Sequence, residues 1–373
     1  MSESRPAGQN AQGAPGAHPA QHDALMQRKP ALRGGLLALL AATLFGLSTP
    51  LIQRLGLGMG AFTTAALLYA GAAVVGLLSL RGSAREARLR GADAPRLLAM
   101  AGFGAVIGPV ALAWGLQRTS GASASLLLSL EAVFTALLAW VWYHESMDRR
   151  VWTAVLLIVA GGMVLVFEQG FSGSAQLLGL LAVAVATASW GIDNTLSRGV
   201  ADRDPGQVVA IKALLGCSTT GVIAWASGEP QPNLVATLGV LAVGASGYGL
   251  SLRLYLLAQR SFGAARTGSV FAFAPFIGAV AAFALGQRAF GAWFLLAGSL
   301  MLLGVWLHLA ENHGHEHAHE PQSHEHAHHH DDGHHTHEHE PMPAGAHSHA
   351  HIHIPMHHSH PHAPDLHHQH VHD

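Results

Sequence analysis

Residues 44–51 of the chain, Leu44-Phe45-Gly46-Leu47-Ser48-Thr49-Pro50-Leu51, lie inside an apolar segment. A similar stretch, Ser189-Trp190-Gly191-Ile192-Asp193-Asn194-Thr195-Leu196, begins 145 residues later. A second marker repeats at almost the same offset: Gln117-Arg118-Thr119-Ser120-Gly121-Ala122 returns 142 residues later as Gln259-Arg260-Ser261-Phe262-Gly263-Ala264. Two markers at nearly one offset indicate that the chain contains a duplicated unit.

The composition predicts an integral membrane protein. Half of the 373 residues are hydrophobic and 11% are charged, whereas soluble domains carry about 25% charged residues. Cys217 is the single cysteine, so no disulfide framework is expected and the residue is interpreted as a small packing residue. Residues 1–32 are rich in Gly, Ala, Pro and Gln and predict a disordered leader, after which the first apolar helix would be an uncleaved anchor.

Ten stretches have the roughly 20 apolar residues that cross a bilayer as a helix. Five lie in a first repeat, 33–168, and five in a second, 175–309. Because five is odd, the second copy must enter the membrane in the opposite orientation. The sequence therefore predicts an all-α membrane protein of ten transmembrane helices in two inverted five-helix repeats, which is typical of secondary transporters. The ten stretches lie near 34–53, 60–80, 96–116, 120–142, 150–168, 176–197, 206–227, 234–257, 265–286 and 289–309.

The basic residues predict the orientation of these spans. If the N-terminus is cytoplasmic, the inside segments hold 15 Lys and Arg residues and the outside segments hold three, Arg54, Arg118 and Arg288. This bias follows the positive-inside rule and predicts a multi-pass protein of the inner (plasma) membrane with both termini in the cytoplasm. Loops before residue 311 are too short for a catalytic domain, and no nucleotide loop or nucleophile–base constellation is found. An enzyme is therefore the least favoured class, and no nucleic-acid partner is expected.

The Phe-Gly-Leu-Ser-Thr-Pro and Trp-Gly-Ile-Asp-Asn patterns resemble the EamA branch of the drug/metabolite transporter superfamily. The resemblance extends to Thr119–Trp140, which is followed by Glu145, and to its second copy at Gly263–Phe276, and it covers about residues 33–309. It implies two inverted five-helix repeats around a central cavity. It also implies export or exchange of small metabolites by alternating access.

Three positions depart from the pattern of that family. Ala132 stands where a Pro usually follows the Glu of the fourth span, and Gln287 stands where a Glu is common at the end of the ninth span. Tyr69 replaces a frequent Arg of the second span, and Lys212 takes the equivalent place in the seventh. The coupling residues are therefore sought among the ionisable residues of this chain.

Polar residues within the spans are candidates for the cavity, because a charged group inside a bilayer usually faces protein or water. Glu131 lies near the middle of the fourth span, where it could accept a proton, bind a cationic group, pair with a buried base, or be a neutral structural residue. Asp193 and Asn194 occupy the place in the sixth span that Ser48 and Thr49 occupy in the first. Both pairs are predicted to face the cavity.

Further candidates complete the predicted site. Trp190 is interpreted as a cavity wall or as core packing, and Pro275 as a source of a free carbonyl or as a simple kink. Lys212 could extend to lipid phosphate or pair with Asp193 or Glu131, and Asp193 could instead pair with Arg198. Glu131, Asp193 and Lys212 are thus the candidate coupling or ion-pair residues.

The chain changes character at Glu311. Residues 311–373 hold 25 of the 29 histidines and 10 of the 22 acidic residues, with no Lys or Arg, which predicts a disordered cytoplasmic tail. Neutral imidazole binds Zn²⁺, Ni²⁺, Co²⁺ and Cu²⁺, so the tail is a candidate metal-binding segment. Its candidate ligands recur mostly as His-x-His: His313, His315, His317, His319, His324, His326, His328, His334, His335, His337, His339, His347, His349, His351 and His353.

Three functions remain open on this sequence. The first is a metabolite exporter that needs no cofactor and carries possible Ni, Co, Zn or Cu ions on its tail. The second is a divalent transition-metal exporter fed by the tail, and the third is a membrane-tethered metal buffer or sensor. The expected partners are a small-molecule substrate and the lipid bilayer, and the sequence makes no prediction of the oligomeric state.

Overall fold

The computed structural model describes residues 19–80, 87–143, 147–170, 174–200, 203–262, 264–287 and 291–309, and four short stretches of the tail. In this described part, the membrane body consists of helices joined by short loops. Its helices are α1 Pro19–Leu55, α2 Ala61–Ser79, α3 Ala94–Met100, α4 Gly108–Leu116, α5 Gly121–Leu127, α6 Leu130–Tyr143, α7 Arg149–Gly170, α8 Ser174–Ser197, α9 Pro205–Ala226, α10 Leu234–Val243, α11 Ser251–Phe262, α12 Ala264–Phe271, α13 Ala274–Ala284 and α14 Ala292–Leu309.

Two π-helical segments lie within long spans. The segment π1, Ala101–Ile107, joins α3 to α4, and π2, Gly244–Leu250, joins α10 to α11. Nine helical stretches of the described chain are long and apolar enough to cross a membrane, and α14 adds a shorter apolar helix. Large apolar side chains such as Leu156 and Val280 face outward. Such exposure is unfavourable in water but suits the hydrocarbon of a bilayer. The predicted all-α fold of ten membrane helices is confirmed.

The irregularities of the two repeats match. The segments π1 and π2 begin 143 residues apart, at Ala101 and Gly244. The fourth span of each repeat is also interrupted, between α5 and α6 at residues 128–129 and between α12 and α13 at residues 272–273. The duplication thus extends from sequence motifs to local backbone geometry.

Helix packing follows the same symmetry. The second spans pack against each other as α2 on α9, and the fifth spans as α7 on α14. The first span of each repeat packs against the third span of the other, α1 against π2 and α11, and α8 against π1 and α4. Small residues allow this close approach: a Cβ on Gly76 of α2 would lie 2.6 Å from the Cα of Ala210 on α9. The core is therefore formed between the repeats as well as within them.

The N-terminal boundary differs from the expectation. The sequence predicts a disordered leader to residue 32, but α1 begins at Pro19. Residues 20–29 include Ala, Leu, Met, Gln, Lys and Arg, which are good helix formers, and the helix continues through Pro30 into the apolar part of the span. Residues 1–18 lie outside the described part of the chain.

The tail contains four short strands. β1 Gly314–Ala318 pairs antiparallel with β4 His357–Pro361, and β2 Gln322–His328 pairs antiparallel with β3 His347–His353. The sequence predicts no regular structure here, although His-x-His has the two-residue period of a strand. Isolated two-stranded pairs are marginally stable in water, so disorder of the tail in solution stays a prediction.

Candidate functional site in the central cavity

A central cavity lies between the two repeats. The first repeat contributes residues from α1, α2 and α6, and the second contributes residues from α8, α9, π2, α11 and α12. Because no single repeat encloses it, a change in the contact between the repeats would reshape it. The lining residues are Phe45, Tyr69, Glu131, Trp190, Asp193, Asn194, Lys212, Gly247, Tyr248, Ser251, Leu252, Tyr255 and Phe271.

A buried ion pair forms one wall of the cavity. Nζ of Lys212 on α9 contacts Oδ2 of Asp193 on α8. Lys212 is 3% exposed and Asp193 is 5% exposed, so each charge depends on the other for compensation. The structure therefore does not place Lys212 at lipid phosphate, and the salt bridge of Asp193 is made with Lys212 and not with Arg198.

Glu131 lies opposite a residue of the other repeat. It occupies the first turn of α6, directly after the interruption at residues 128–129. Nδ2 of Asn194 on α8 donates a hydrogen bond of 2.6 Å to Oε1 of Glu131. Within the described chain, no basic side chain lies within ion-pair distance of Glu131. Its carboxyl group is therefore held by one amide and not neutralised by a direct salt bridge.

A backbone carbonyl supports two aromatic side chains of the cavity. In π1 the Gly108 N–H donates to the Phe103 carbonyl, and Pro109 has no N–H. Neither residue can thus donate to the carbonyl of Gly104, which instead accepts hydrogen bonds from the Tyr69 hydroxyl and, at 3.0 Å, from Nε1 of Trp190. This contact was not predicted from the sequence, although a Pro that follows a glycine-rich stretch was a usable signal.

Aromatic rings form a continuous surface around the cavity. The ring of Phe45 lies 5.7 Å from Trp190, 5.9 Å from Tyr248 and 5.4 Å from Phe271, measured between centroids. Tyr255 lies 5.0 Å from Phe271. These separations are typical of interacting aromatic pairs. The cavity therefore combines an aromatic wall with a small number of charged groups.

Five of the predicted site residues line the cavity, namely Glu131, Trp190, Asp193, Asn194 and Lys212. Most of the aromatic lining was not predicted from the sequence, although aromatic residues near the middle of spans are a recognisable signal. The tail histidines lie outside the residues whose side chains are described. Within the described part of the chain, no three His, Cys, Asp or Glu side chains form a metal-ligating group.

Three other predicted site residues lie outside the cavity lining. Ser48 donates its hydroxyl to the Phe45 carbonyl and packs where a Cβ on Gly247 would lie. Thr49 is buried at 1% exposure. Because α1 remains helical through this region, the side chain of Ser48 is turned toward Gly247 of the second repeat. Pro275 is buried in the first turn of α13, a position that tolerates proline.

A hydrogen-bonded cluster joins the repeats at the end of the bundle where α1 terminates. Gln53 donates to the Thr119 carbonyl at 2.6 Å and accepts from the Gly121 N–H at 2.9 Å. Gln287 of the second repeat donates to Oε1 of Gln53 and accepts from the Ala122 N–H at 3.1 Å. We call Gln53, Gln287 and the backbone of 119–122 the glutamine clasp. It connects α1 and α5 to the chain that follows α13.

Glu229 adds a second connection at the same end. Its carboxylate accepts from the Phe62 N–H at 3.2 Å, and from the N–H and hydroxyl of Thr63, both at 2.7 Å. These donors lie in the first turn of α2, where backbone N–H groups have no partner within the helix. An acidic side chain from the second repeat thus caps a helix of the first.

The sequence profile of the EamA-like transporter family matches twice, over residues 32–167 and 177–310. This chain belongs to the EamA-like transporter family. The two matches correspond to the two halves that enclose the cavity. This EamA-like transporter is therefore a multi-pass membrane protein that contains the family unit twice.

Relatives agree with this assignment. The transporter is 28% identical over 227 residues to an uncharacterized transporter of Methanothermobacter thermautotrophicus. That match covers 60% of this chain and 66% of the relative, slightly less than two thirds of the relative's length. A crystal structure of another protein, 20% identical, has a TM-score of 0.54 and covers 75% of this chain and 95% of that one, which shows the shared fold.

Proposed function

We propose that this EamA-like transporter is a secondary active transporter that exports or exchanges small metabolites across the inner membrane by alternating access. One observation carries the proposal: the cavity is enclosed by both repeats, and the glutamine clasp joins those repeats at one end of the bundle. Movement of one repeat against the other would open that end. Such motion around a central site is the general form of alternating access.

The position of the cavity along the helices supports this proposal. Phe45 lies eight residues before Gln53 on α1, a separation of about 12 Å at the rise of an α-helix. In the opposite direction the lining reaches Asn194, three residues before α8 ends at Ser197. The cavity thus lies beneath the clasp and extends toward the other end of the bundle.

The charge distribution supports an orientation for this arrangement. The positive-inside rule assigns the glutamine clasp to the outer face, because α1 would leave the cytoplasm and end at Leu55. The described state would then be loaded from the cytoplasm and would release substrate once the clasp opens. This orientation is compatible with the proposed export or exchange.

Site-directed labelling tests alternating access. Leu252 lines the cavity and is replaced by Cys in a Cys217→Ser background, so that one thiol reports access. A membrane-impermeant maleimide is expected to label Leu252→Cys from the cytoplasmic side. Adding Gln53→Ala and Gln287→Ala should weaken the clasp and increase labelling from the outer side. Labelling from one side only, unchanged by the clasp substitutions, would contradict alternating access through this cavity.

Glu131 is the candidate coupling residue, because its carboxyl group lies in the cavity without a direct basic partner in the described chain. Substrate flux in proteoliposomes, with and without a pH gradient, should show stimulation by the gradient that Glu131→Gln abolishes. Glu168→Gln on α7 is a control because Glu168 does not line the cavity. Unchanged gradient-driven flux in Glu131→Gln would exclude Glu131 as the coupling site.

The metal-based alternatives depend on the tail, whose side chains are outside the described residues. In the described body, the cavity brings no group of three metal ligands together. Solute flux through the purified protein would exclude a body that acts only as an anchor for a buffer or sensor. The cavity chemistry favours an organic substrate.

A further inference from the structure

We infer that the central cavity binds an organic ammonium ion, with its N–H groups on Glu131 and its apolar part against the aromatic wall. This inference rests on the proposed transport function, because it names the substrate class of the same cavity. Three features carry it: the hydrogen-bond donors of the wall, its charge, and its rings.

The hydrogen-bond donors of the cavity wall are largely committed to protein acceptors. Nε1 of Trp190 donates to the Gly104 carbonyl at 3.0 Å. The Tyr69 hydroxyl donates to the same carbonyl. Ser251 donates to the Ala41 carbonyl at 2.8 Å. Nδ2 of Asn194 donates to Glu131 at 2.6 Å. The hydroxyl of Tyr248, which has no partner in the described chain, is a donor that remains available. A ligand that needs several donors from the protein therefore meets few of them.

The carboxyl group of Glu131 has the opposite character. Its Oε1 accepts one hydrogen bond from Asn194, and Oε2 has no hydrogen-bond partner in the described chain. An ionised carboxylate can accept several hydrogen bonds. The available charged group of the wall is thus an acceptor, and it matches a ligand that supplies N–H groups.

The charges of the wall favour a cation. Lys212 is held by Asp193, so these two residues neutralise each other. The remaining acid, Glu131, gives the wall a net negative charge when ionised. Because an uncompensated charge away from water is costly, a bound cation would be strongly favoured over an anion.

The rings supply the remaining recognition. Phe45 contacts Trp190, Tyr248 and Phe271 in one aromatic surface. Ring faces attract cations within about 6 Å, and Trp and Tyr do so more strongly than Phe. The same rings bury an apolar or aromatic body. An arylalkylammonium ion satisfies both the carboxylate and the wall.

A matched series of ligands tests this inference by equilibrium binding to the full-length protein in nanodiscs. The probes are 2-phenylethylammonium, its N,N,N-trimethyl analogue, 2-phenylethanol and 3-phenylpropionate. They share a ring and differ in charge and in N–H donors. The primary ammonium is expected to bind at least about tenfold more tightly than the alcohol and the carboxylate, since hydrogen bonds to charged groups are strong. It should also bind more tightly than the trimethyl analogue, which has no N–H.

Variants localise the effect. Glu131→Gln should abolish the preference for the ammonium over the alcohol, whereas Glu168→Gln should retain it. Phe45→Leu should lower the affinity of the protein for all four probes, because each of them carries an aromatic ring. Equal or tighter binding of the carboxylate or the alcohol, no binding of any probe, or an unchanged preference in Glu131→Gln would overturn the inference. The wild-type series needs no variant, so a Glu131→Gln protein that misfolds does not remove the test.

This experiment separates the ligand class from transport, because equilibrium binding requires no membrane crossing. A protein that binds the ammonium but shows no two-sided access at Leu252→Cys would contradict the proposed function alone. A protein that alternates access but prefers 3-phenylpropionate would contradict the ligand class alone.

Discussion

Gly104 shows how one residue without a side chain positions the charged wall of the cavity. A Cβ at this position would overlap the carboxylate of Asp193. Gly104→Ala is therefore expected to displace Asp193 from Lys212 and to destabilise the protein by about 1–3 kcal/mol, the usual effect of overpacking. The measurement is the thermal unfolding midpoint of the purified protein, together with flux.

Gly102 provides a matched control in the same π segment. A Cβ on Gly102 would meet no atom within 4 Å. Gly102→Ala should therefore leave the unfolding midpoint and the flux near those of the wild type. Equal destabilisation by both substitutions would show that π1 tolerates no added side chain, and that the contact with Asp193 is not the cause.

The Lys212–Asp193 pair predicts that substitutions of its two residues have non-additive effects on the free energy of unfolding. Lys212→Met leaves a buried carboxylate without its partner, and such losses typically cost about 3–5 kcal/mol. The double variant Lys212→Met with Asp193→Leu removes both charges and should be more stable than Lys212→Met alone. A double-mutant cycle of unfolding free energies measures this coupling, and additive effects would contradict it.

At the residue scale, the charged residues were recognisable in the sequence, and Lys212 with Asp193 was one of several pairs left open. Glu131, Asp193 and Lys212 are recognisable because charges are rare inside apolar spans. Their partners depend on how helices of different repeats are rotated, which one sequence does not reveal. Ser48 illustrates this: it occupies the repeat position of Asp193 but packs against Gly247.

At the scale of elements, the capping of α2 by Glu229 can be measured. Glu229→Ala removes three hydrogen bonds and the favourable charge at a helix N-terminus. The expected destabilisation is about 1–2 kcal/mol, by analogy with capping residues. Gln231→Ala in the same loop is the control, because Gln231 is exposed. Equal unfolding midpoints for the two variants would show that this cap does not stabilise the fold.

The spans themselves were predictable, and so was one of the two interruptions in the fourth spans of the repeats. Hydrophobicity locates a helix of membrane length, so the ten stretches agree with the described helices. The interruption before α13 could be anticipated from Pro275, but the one before α6 has Ala132 at the corresponding position. The break in the fourth span therefore has no proline that would mark it in the sequence.

At the scale of the whole molecule, the predicted orientation can be checked with reporter fusions. Alkaline phosphatase, which is active only outside the cytoplasm, should be active when fused in the loops at residues 56–60 and 227–233. It should be inactive when fused at residues 87–93 or after residue 309. A fluorescent-protein reporter should give the reverse pattern. Activity at residues 87–93 would contradict a cytoplasmic N-terminus.

The histidine-rich tail predicts a separable metal-binding property. Deletion of 311–373 removes 25 of the 29 histidines and should abolish most binding of Ni²⁺, Co²⁺ or Zn²⁺ by the protein. Flux of an organic substrate through the body should remain. Calorimetric titration and proteoliposome flux measure the two properties, and loss of flux on deletion would show that the tail takes part in transport.

The matched π segments also carry information about ancestry. A π segment arises when one extra residue is accommodated in an α-helix, and π1 and π2 lie at the same place in their repeats. One insertion before gene duplication explains both more simply than two independent insertions after it. The ancestral five-helix unit then already had this bulge.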